Sequence, residues 1–266
     1  MRAGRADLKA GRKGMGFGHM LLGVAALCLT ACGAPNEAVR PPIVVLAAAS
    51  LTDVFREIGN AFEAEQGRPA LMSFAGSQTL ATQLREGLRA DVIAVADPEM
   101  MADLASLGLV DEPLEFASSR IVWVLRRGRS GSSLGDPAEL ESSNWMLVLA
   151  SPEVPAGAYA RRALSVLQLR QVAEAHLVSQ ELDVRGVLAK LRLAGADLGM
   201  VYATDVSPND PDLEVVELPP RARVVARYAA ARVRGTTRPE ATAAFLDFLE
   251  SHQARDILRR AGFETP

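Results

Sequence analysis

The chain is 266 residues long, 49% of its residues are hydrophobic, and it carries a formal net charge of −3. This length is enough for one large domain, or for two lobes of modest size, with a substantial core. The acidic balance argues against nucleic acid as a partner, because binding to phosphates needs a surplus of Lys and Arg.

Residues 1–31 have the pattern of a lipoprotein signal peptide. Five basic residues, all within residues 1–13, precede an apolar stretch over residues 20–30 that is too short to span a bilayer. The stretch ends in Leu-Thr-Ala-Cys, which resembles the bacterial lipobox, so we expect acylation of Cys32 and a lipid-anchored mature chain. Ordinary signal cleavage near Ala31, with Cys32 incidental, is the alternative. Residues 32–42 predict an extended tether between the lipid and the fold.

Removal of the signal peptide makes the chain more acidic and leaves few Cys and His residues that could bind a metal ion. It takes away five of 29 basic and one of 32 acidic residues, so the mature chain has 24 basic and 31 acidic residues and a net charge of −7. Cys28 would leave with the peptide and Cys32 would carry lipid, so we expect neither a disulfide nor a cysteine metal site. His176 and His252 are far apart in the sequence, which argues against a site for a transition-metal cation.

Three buried strands, each followed at once by a helix, are predicted over the first part of the fold. Apolar runs at residues 43–49, 71–75 and 92–96 alternate with segments of helical periodicity. Gly67 ends the first helix, and Asp97 caps the third. This alternation is typical of a mostly parallel sheet that is covered by helices on both faces.

The pattern then restarts and predicts a second α/β lobe. Further strands are predicted at residues 121–125, 145–149, 198–202, 213–218 and 223–231. Helices are predicted at residues 156–167, 184–191 and 240–261, and the last of these is expected to return to the first lobe. We place the boundary near residues 118–121, which gives one lobe of residues 43–120 plus 228–266 and a second lobe of residues 121–227.

Ser50 and Ser77 follow the first two strands directly and are candidate anion ligands. A helix N-terminus presents unpaired N–H groups and a partial positive charge, and serine adds a hydroxyl donor. The alternative for each serine is a simple N-cap, and Ser50 with Asp53 three residues later fits a capping box. Ligands of open α/β sheets bind outside the carboxyl ends of the strands, so two such serines favour an oxyanion site. Gly76 would let the backbone approach the ligand closely.

The predicted second lobe offers a matching set of neutral donors. Pro155 begins a helix and leaves the N–H groups around Ala156 open, although any proline-started helix has this pattern. Asp183 is expected to cap another helix and must therefore turn its carboxylate away from an anion. Tyr202 at a strand end either offers its O–H group or is an ordinary core tyrosine.

Arg185 is interpreted as a solvated surface residue rather than as a counter-charge. Other helical segments carry similar arginines, at Arg161, Arg162 and Arg192. Several neutral donors in a closed cleft of low dielectric constant can hold a doubly charged anion without a formal positive charge. The residues therefore predict a site made of uncharged donors.

The sequence contains no P-loop and no H-E-x-x-H motif. Its G-x-S-x-G match, at residues 131–135, lies in a predicted loop rich in Gly and Ser and does not join a strand to a helix, so we do not expect an enzyme. A serine hydrolase is a remote alternative, with Ser50 or Ser77 as the nucleophile. That alternative requires a general base within hydrogen-bond reach of the serine.

Over nearly all of residues 43–263, the chain resembles the periplasmic molybdate-binding proteins of ABC transporters. The strongest matching stretches are residues 47–52, 73–80, 90–93, 154–160, 183–185 and 199–205. The resemblance implies a two-lobed periplasmic binding protein type II fold, in which each lobe is a mixed, mostly parallel sheet flanked by helices. It also implies that Ser50, Ser77, Ala156, Val184 and Tyr202 hold the oxyanion, Ala156 and Val184 through backbone N–H and the others through hydroxyls and backbone together.

The function implied by this resemblance is capture of molybdate between the lobes and delivery to an ABC permease in the inner membrane. Tungstate is expected to bind as well, because the two ions are nearly the same in size and charge. We expect a monomer without a cofactor, on the periplasmic side of the cell envelope. The lipobox is a departure, since some members of the family are free periplasmic proteins. A receptor for sulfate or another tetrahedral oxyanion is the alternative, because it would share the fold and the kind of site.

Overall fold

The computed structural model of the protein describes residues 40–129, 140 and 144–266. The predicted signal peptide, Cys32 and the predicted tether as far as residue 39 lie outside the described residues. Within the described part of the chain, no helix is long and apolar enough to cross a membrane.

The first part of the fold alternates strands and helices as predicted. Its elements are β1 (Ile43–Ala48), α1 (Thr52–Gln66), β2 (Ala70–Ala75), α2 (Ser77–Arg85), β3 (Val92–Val95) and α3 (Pro98–Ser106). β1 pairs in parallel with β2 on one side and with β3 on the other. Gly67 ends α1 in the left-handed conformation, and Asp97 caps α3 by accepting hydrogen bonds from the N–H groups of Glu99 and Met100. The carboxyl ends of all three strands therefore reach the same edge of the sheet.

A second parallel group of strands lies further along the chain. Its elements are β5 (Leu147–Ala150), α4 (Pro155–Val166), α5 (Arg170–Ala175), β6 (Leu177–Glu181), α6 (Val184–Arg192) and β7 (Leu198–Tyr202). β5 pairs in parallel with both β6 and β7. β6 and α5 are not among the predicted elements. β6 lies at the end of the sheet and combines polar with apolar residues, so it lacks the apolar run that marks a buried strand.

Two long antiparallel strands, β4 (Leu114–Arg126) and β9 (Val225–Arg232), join these groups. β4 pairs with β9 over its first half, and with β7 and β8 (Leu213–Val216) over its second half. The nine strands of the described residues form one mixed sheet, in the order β2-β1-β3-β9-β4-β7-β5-β6 with β8 beside β4. The sheet is therefore parallel at both ends and antiparallel in the middle.

The predicted boundary at residues 118–121 falls inside β4, which is continuous over 13 residues. The apolar pattern indicates only residues 121–125, because Glu115, Ser118 and Ser119 interrupt it in the first half of the strand. These polar residues are nevertheless in the strand, since their backbone pairs with β9. The two predicted lobes are thus linked by an unbroken strand rather than by a loop at this position.

The predicted single helix over residues 240–261 is wrong, because the segment forms two helices, α7 (Pro239–Leu249) and α8 (His252–Arg260). Ser251 separates them as the N-cap of α8, and its hydroxyl oxygen accepts a hydrogen bond of 3.2 Å from the N–H of Ala254. The expected return to the first part of the fold is correct. The ring of Phe62 in α1 packs edge-on against Phe245 and Phe248, with centroid distances of 5.2 and 5.7 Å.

Candidate anion-binding site

The structure brings all five predicted ligand residues, Ser50, Ser77, Ala156, Val184 and Tyr202, around one small cavity. The described lining consists of Ala48, Ala49, Ser50, Gly76, Ser77, Ala96, Val154, Pro155, Ala156, Asp183, Val184 and Tyr202. The space open to the centre of a water-sized sphere is about 10 Å³. A ligand held there must be compact.

Ser50 and Ser77 reach this cavity because β1 and β2 are parallel neighbours that end side by side, with Ala48 paired to Ala75. Ser50 lies in a 3-10 turn over Ala49–Leu51, between β1 and α1. Ser77 is the first residue of α2. Both serines are buried, at 5% and 3% exposure.

Neither serine is a simple N-cap. The N-cap positions are Leu51 for α1 and Gly76 for α2, and neither helix has a side-chain cap hydrogen bond, so the predicted capping box of Ser50 and Asp53 is wrong. The hydroxyl oxygen of Ser77 instead accepts a hydrogen bond of 3.2 Å from the N–H of Ala96, just beyond β3. The hydroxyl hydrogen of Ser77 therefore remains available as a donor toward the cavity.

The N-terminus of α4 forms the opposite wall. Pro155 is its first residue, as predicted, and Ala156 follows with 1% exposure. Gly157 permits a very close approach to the end of β5, because a Cβ atom there would lie 2.0 Å from the carbonyl oxygen of Ser151 and 2.4 Å from that of Ala150. Only glycine fits at this contact, which holds the first N–H groups of α4 beside the strand end.

The N-terminus of α6 completes this wall. Asp183 caps the helix as expected, since its Oδ1 accepts a hydrogen bond of 2.9 Å from the N–H of Gly186. Its carboxylate is thus turned into its own helix. Val184 is the first residue of α6, and its N–H has no partner within the helix because it belongs to the first turn.

Tyr202 ends β7 and is both a core residue and a cavity-lining residue, with 2% exposure. Burial raises the pKa of Tyr202 well above its ordinary value, so its phenol keeps its proton at neutral pH and remains a donor. Its ring packs against Tyr228 at a centroid distance of 5.7 Å. The hydroxyl of Tyr228 is buried without a hydrogen bond of good geometry among the described residues, and its polar neighbours are the hydroxyls of Ser50 and Thr204.

A buried acid, Asp205, is hydrogen-bonded to the backbone of Tyr202. Asp205 Oδ2 accepts a hydrogen bond of 3.1 Å from the N–H of Tyr202, whereas its Oδ1 has no partner among the described residues. Burial raises the pKa of Asp205 to about 7, although the charge of Arg185 partly offsets the increase. Asp205 ends one of the stretches that match the family, residues 199–205, but no role for Asp205 is predicted from the sequence.

The hydroxyl groups and helix N-termini that line the cavity are uncharged. Asp183 is the one charged residue of its described lining, and its carboxylate faces away. Two predictions about nearby arginines are wrong. Arg161 is 5% exposed, and it donates a hydrogen bond of 2.8 Å to the carbonyl of Ala150 and another of 2.9 Å to Glu174.

Arg185 is also not a free surface residue. Its guanidinium donates a hydrogen bond of 2.7 Å to Asp53 and one of 3.3 Å to the carbonyl oxygen of Ala49. Both partners are more than 130 positions earlier in the chain, so no local pattern indicates them.

A larger cavity, of about 650 Å³, lies at the opposite edge of the sheet, near the start of β1 and β3. Its buried acid is Asp91, which accepts hydrogen bonds from the N–H of Val44 (2.7 Å), the hydroxyl of Thr236 and the guanidinium of Arg238 (3.2 Å). Both carboxylate oxygens therefore have partners, and we assign Asp91 a structural role. Within the described residues, no group of three or more His, Cys, Asp and Glu side chains could hold a metal ion.

The fold and the cavity between facing helix N-termini define a solute-binding protein. The chain belongs to the bacterial extracellular solute-binding protein family, whose model matches residues 43–264. It is 35% identical over 252 residues to the molybdate-binding protein ModA of Mycobacterium tuberculosis, which covers 90% of this chain and 93% of that protein. It is 32% identical over 233 residues to ModA of Escherichia coli, with coverage of 83% and 88%. These relatives confirm the resemblance, and they are transport components rather than enzymes.

Solved structures agree on the fold. The periplasmic molybdate-binding protein of Azotobacter vinelandii superimposes with a TM-score of 0.73 at 18% identity, covering 84% of this chain and 99% of that chain. The sulfate-binding protein SubI of Mycobacterium tuberculosis gives a TM-score of 0.71 at 20% identity, covering 85% and 87%. The two-lobed periplasmic binding protein architecture expected from the sequence is thus confirmed.

Proposed function

We propose that this protein binds molybdate in the small cavity lined by Ser50, Ser77, Ala156, Val184 and Tyr202 and delivers it to an ABC permease. The observation that carries the proposal is the composition of the cavity wall, which combines two buried hydroxyls, a buried phenol and two helix N-termini. All of these groups can donate hydrogen bonds to one compact anion, and the carboxylate that borders the cavity is turned away.

A wall of donors selects for a fully deprotonated ion. Molybdate is a tetrahedral dianion whose four oxygens accept hydrogen bonds. A protonated phosphate would bury its own O–H group without an acceptor, which lowers its relative affinity by about 1–3 kcal/mol. Tungstate has nearly the same size and charge as molybdate, so it is expected to bind with similar affinity.

The proposed capture uses two lobes that close around the ion, one made of residues 43–120 plus 228–266 and the other of residues 121–227. Ser50 and Ser77 come from the first, and the other three ligand residues from the second. β4 and β9 pass from one proposed lobe to the other, which supports a hinge that bends these strands. A permease in the inner membrane would then recognise the closed form.

The remaining parts of the proposal concern location and assembly. We propose that the protein acts as a monomer on the periplasmic side of the cell envelope, held there by acylated Cys32. The lipobox-like stretch before Cys32 supports the anchor. Mass spectrometry of the membrane-extracted protein tests it directly, because acylation of Cys32 adds a defined mass that a Cys32→Ser variant lacks.

Calorimetric titration with molybdate, tungstate, sulfate and phosphate tests the ligand. We expect tight binding of the first two ions and binding of sulfate and phosphate that is at least tenfold weaker. Sulfate that binds as tightly as molybdate would favour the alternative of a general oxyanion or sulfate receptor. Absence of binding for all four ions would contradict the proposal as a whole.

A further inference from the structure

The side chain of Arg185 crosses the gap next to the candidate cavity. Arg185 is the second residue of α6, directly after Val184, which lines the cavity. Its Nη2 donates a hydrogen bond of 2.7 Å to Asp53 Oδ2 near the start of α1, and its Nε donates one of 3.3 Å to the carbonyl oxygen of Ala49. Ala49 belongs to the same 3-10 turn as Ser50. One guanidinium thus connects the segments that present Val184 and Ser50.

A second contact crosses the same gap near Ser77. The amide nitrogen of Gln78 donates a hydrogen bond of 2.9 Å to the carbonyl oxygen of Leu182, which lies two residues before Val184. The backbones also come very close here, because a Cβ atom on Gly76 would lie 2.4 Å from that same oxygen. The φ of Gly76 is −57°, which any residue adopts, so the glycine is required by this approach and not by its own conformation.

We propose that Arg185 is a positioning residue that fixes the two donor walls at the spacing needed for the anion. In this role it contributes to affinity without touching the ligand, because its bonds to Asp53 and to Ala49 exist only when the two walls are together. The inference rests on the proposed function, in which two lobes close around an oxyanion. Gln78 and Gly76 belong to the same closed contact.

The contact geometry sets the size of the expected effect. The side chains of Arg185 and Asp53 are 35% and 73% exposed, so water weakens their attraction. The additional charge-assisted bond to a backbone carbonyl strengthens the contact. Together they predict that Arg185→Met weakens binding of molybdate by roughly 5- to 30-fold.

A direct electrostatic role of Arg185 makes a different prediction, and Asp53→Asn separates the two. If Arg185 acted only by its positive charge near the anion, removal of the acid Asp53 would leave binding unchanged or strengthen it. If Arg185 acts by holding the walls, Asp53→Asn weakens binding, because the partner of the guanidinium is impaired. Asp53 also lies 3.9 Å from Arg56, so Arg56→Met is measured alongside to remove that weaker pair on its own.

The experiment is calorimetric titration of the full chain with molybdate, combined with stopped-flow fluorescence for the rate constants. Arg185→Met and Asp53→Asn are expected to raise the dissociation rate constant severalfold, with an association rate constant within about twofold of the wild type. Arg162→Met is the matched control, because it removes the same charge from an exposed position on α4. Gly76→Ala is expected to weaken binding at least tenfold. Melting temperatures without ligand establish that each variant folds, and Arg185→Lys replaces Arg185→Met if the latter does not.

The outcomes distinguish this inference from the proposed function. If the wild type binds molybdate and both Arg185→Met and Asp53→Asn bind within twofold of it, the positioning role is wrong and the proposed function stands. Tighter binding by Asp53→Asn also overturns the positioning role. If the wild type binds sulfate instead, the same ratios are measured with sulfate. A wild type that binds none of the tested oxyanions overturns both.

Discussion

Replacement of Ser77 by alanine tests the candidate site most directly, because two separate effects are expected from one hydroxyl. The Ser77 oxygen accepts the 3.2 Å hydrogen bond from the N–H of Ala96, and its hydrogen is free to donate into the cavity. In Ser77→Ala the buried N–H of Ala96 loses its partner, which lowers the free energy of unfolding by about 1–3 kcal/mol. For a domain of this size, the melting temperature should fall by roughly 2–10 °C.

The loss of a donor to the anion has its own magnitude. A hydrogen bond to a charged acceptor contributes about 1.5–3 kcal/mol, which corresponds to a dissociation constant roughly 10- to 150-fold higher for molybdate. Calorimetric titration measures this change, and thermal melting without ligand measures the first. Ser106→Ala is the matched control, because Ser106 is exposed and its hydroxyl donates a hydrogen bond to the carbonyl of Asp103 in its own helix. A variant whose melting temperature falls while its affinity stays within twofold of the wild type would refute the assignment of Ser77 as a ligand.

Two further substitutions probe the helix N-terminus and the buried acid. Gly157→Ala should lower the free energy of unfolding by more than about 2 kcal/mol and weaken molybdate binding at least tenfold, because the added Cβ meets the backbone oxygen of Ser151 at 2.0 Å. Gly195→Ala is the control for Gly157→Ala, because the nearest atom to the added Cβ belongs to the flexible side chain of Lys190, at 3.1 Å. Equal losses of stability and affinity in both variants would contradict the argument. The pKa of Asp205 is raised to about 7, so this group stabilises the fold below pH 4 and loses that contribution as the pH rises to about 7. Asp205→Asn should therefore have the same free energy of unfolding as the wild type at low pH and exceed it by up to roughly 4 kcal/mol above pH 7. Denaturant unfolding across this pH range measures the difference. A difference that stays constant at all pH values would contradict the raised pKa of Asp205.

Local signals indicate which residues line the candidate cavity. An apolar run followed at once by a serine, as at residues 43–50 and 71–77, indicates a strand that ends at a helix start. Parallel pairing then brings the two serines together without further information. The proline before Ala156 and the cap before Val184 indicate the other wall in the same way.

Contacts between distant segments are the part that the sequence does not indicate. The partners of Arg185 and the burial of Arg161 depend on how helices from different parts of the chain pack, and an arginine on an amphipathic helix has the same local pattern whether it is paired or solvated. The extent of β4 is missed for a related reason. Its polar first half is held in the strand by hydrogen bonds to β9, about a hundred positions later, and not by apolar periodicity. Ser251 is different, because a serine after a helical run is a usable cap signal that could have divided the last helix.

The cavity between the two walls is small, with about 10 Å³ open to the centre of a water-sized sphere. An ion that enters it must leave its hydration shell behind, and the protein must supply every hydrogen bond that the solvent gave up. For the proposed complex, the lifetime is therefore expected to depend on how often the walls separate, and unloading to the proposed permease would require that the walls move apart.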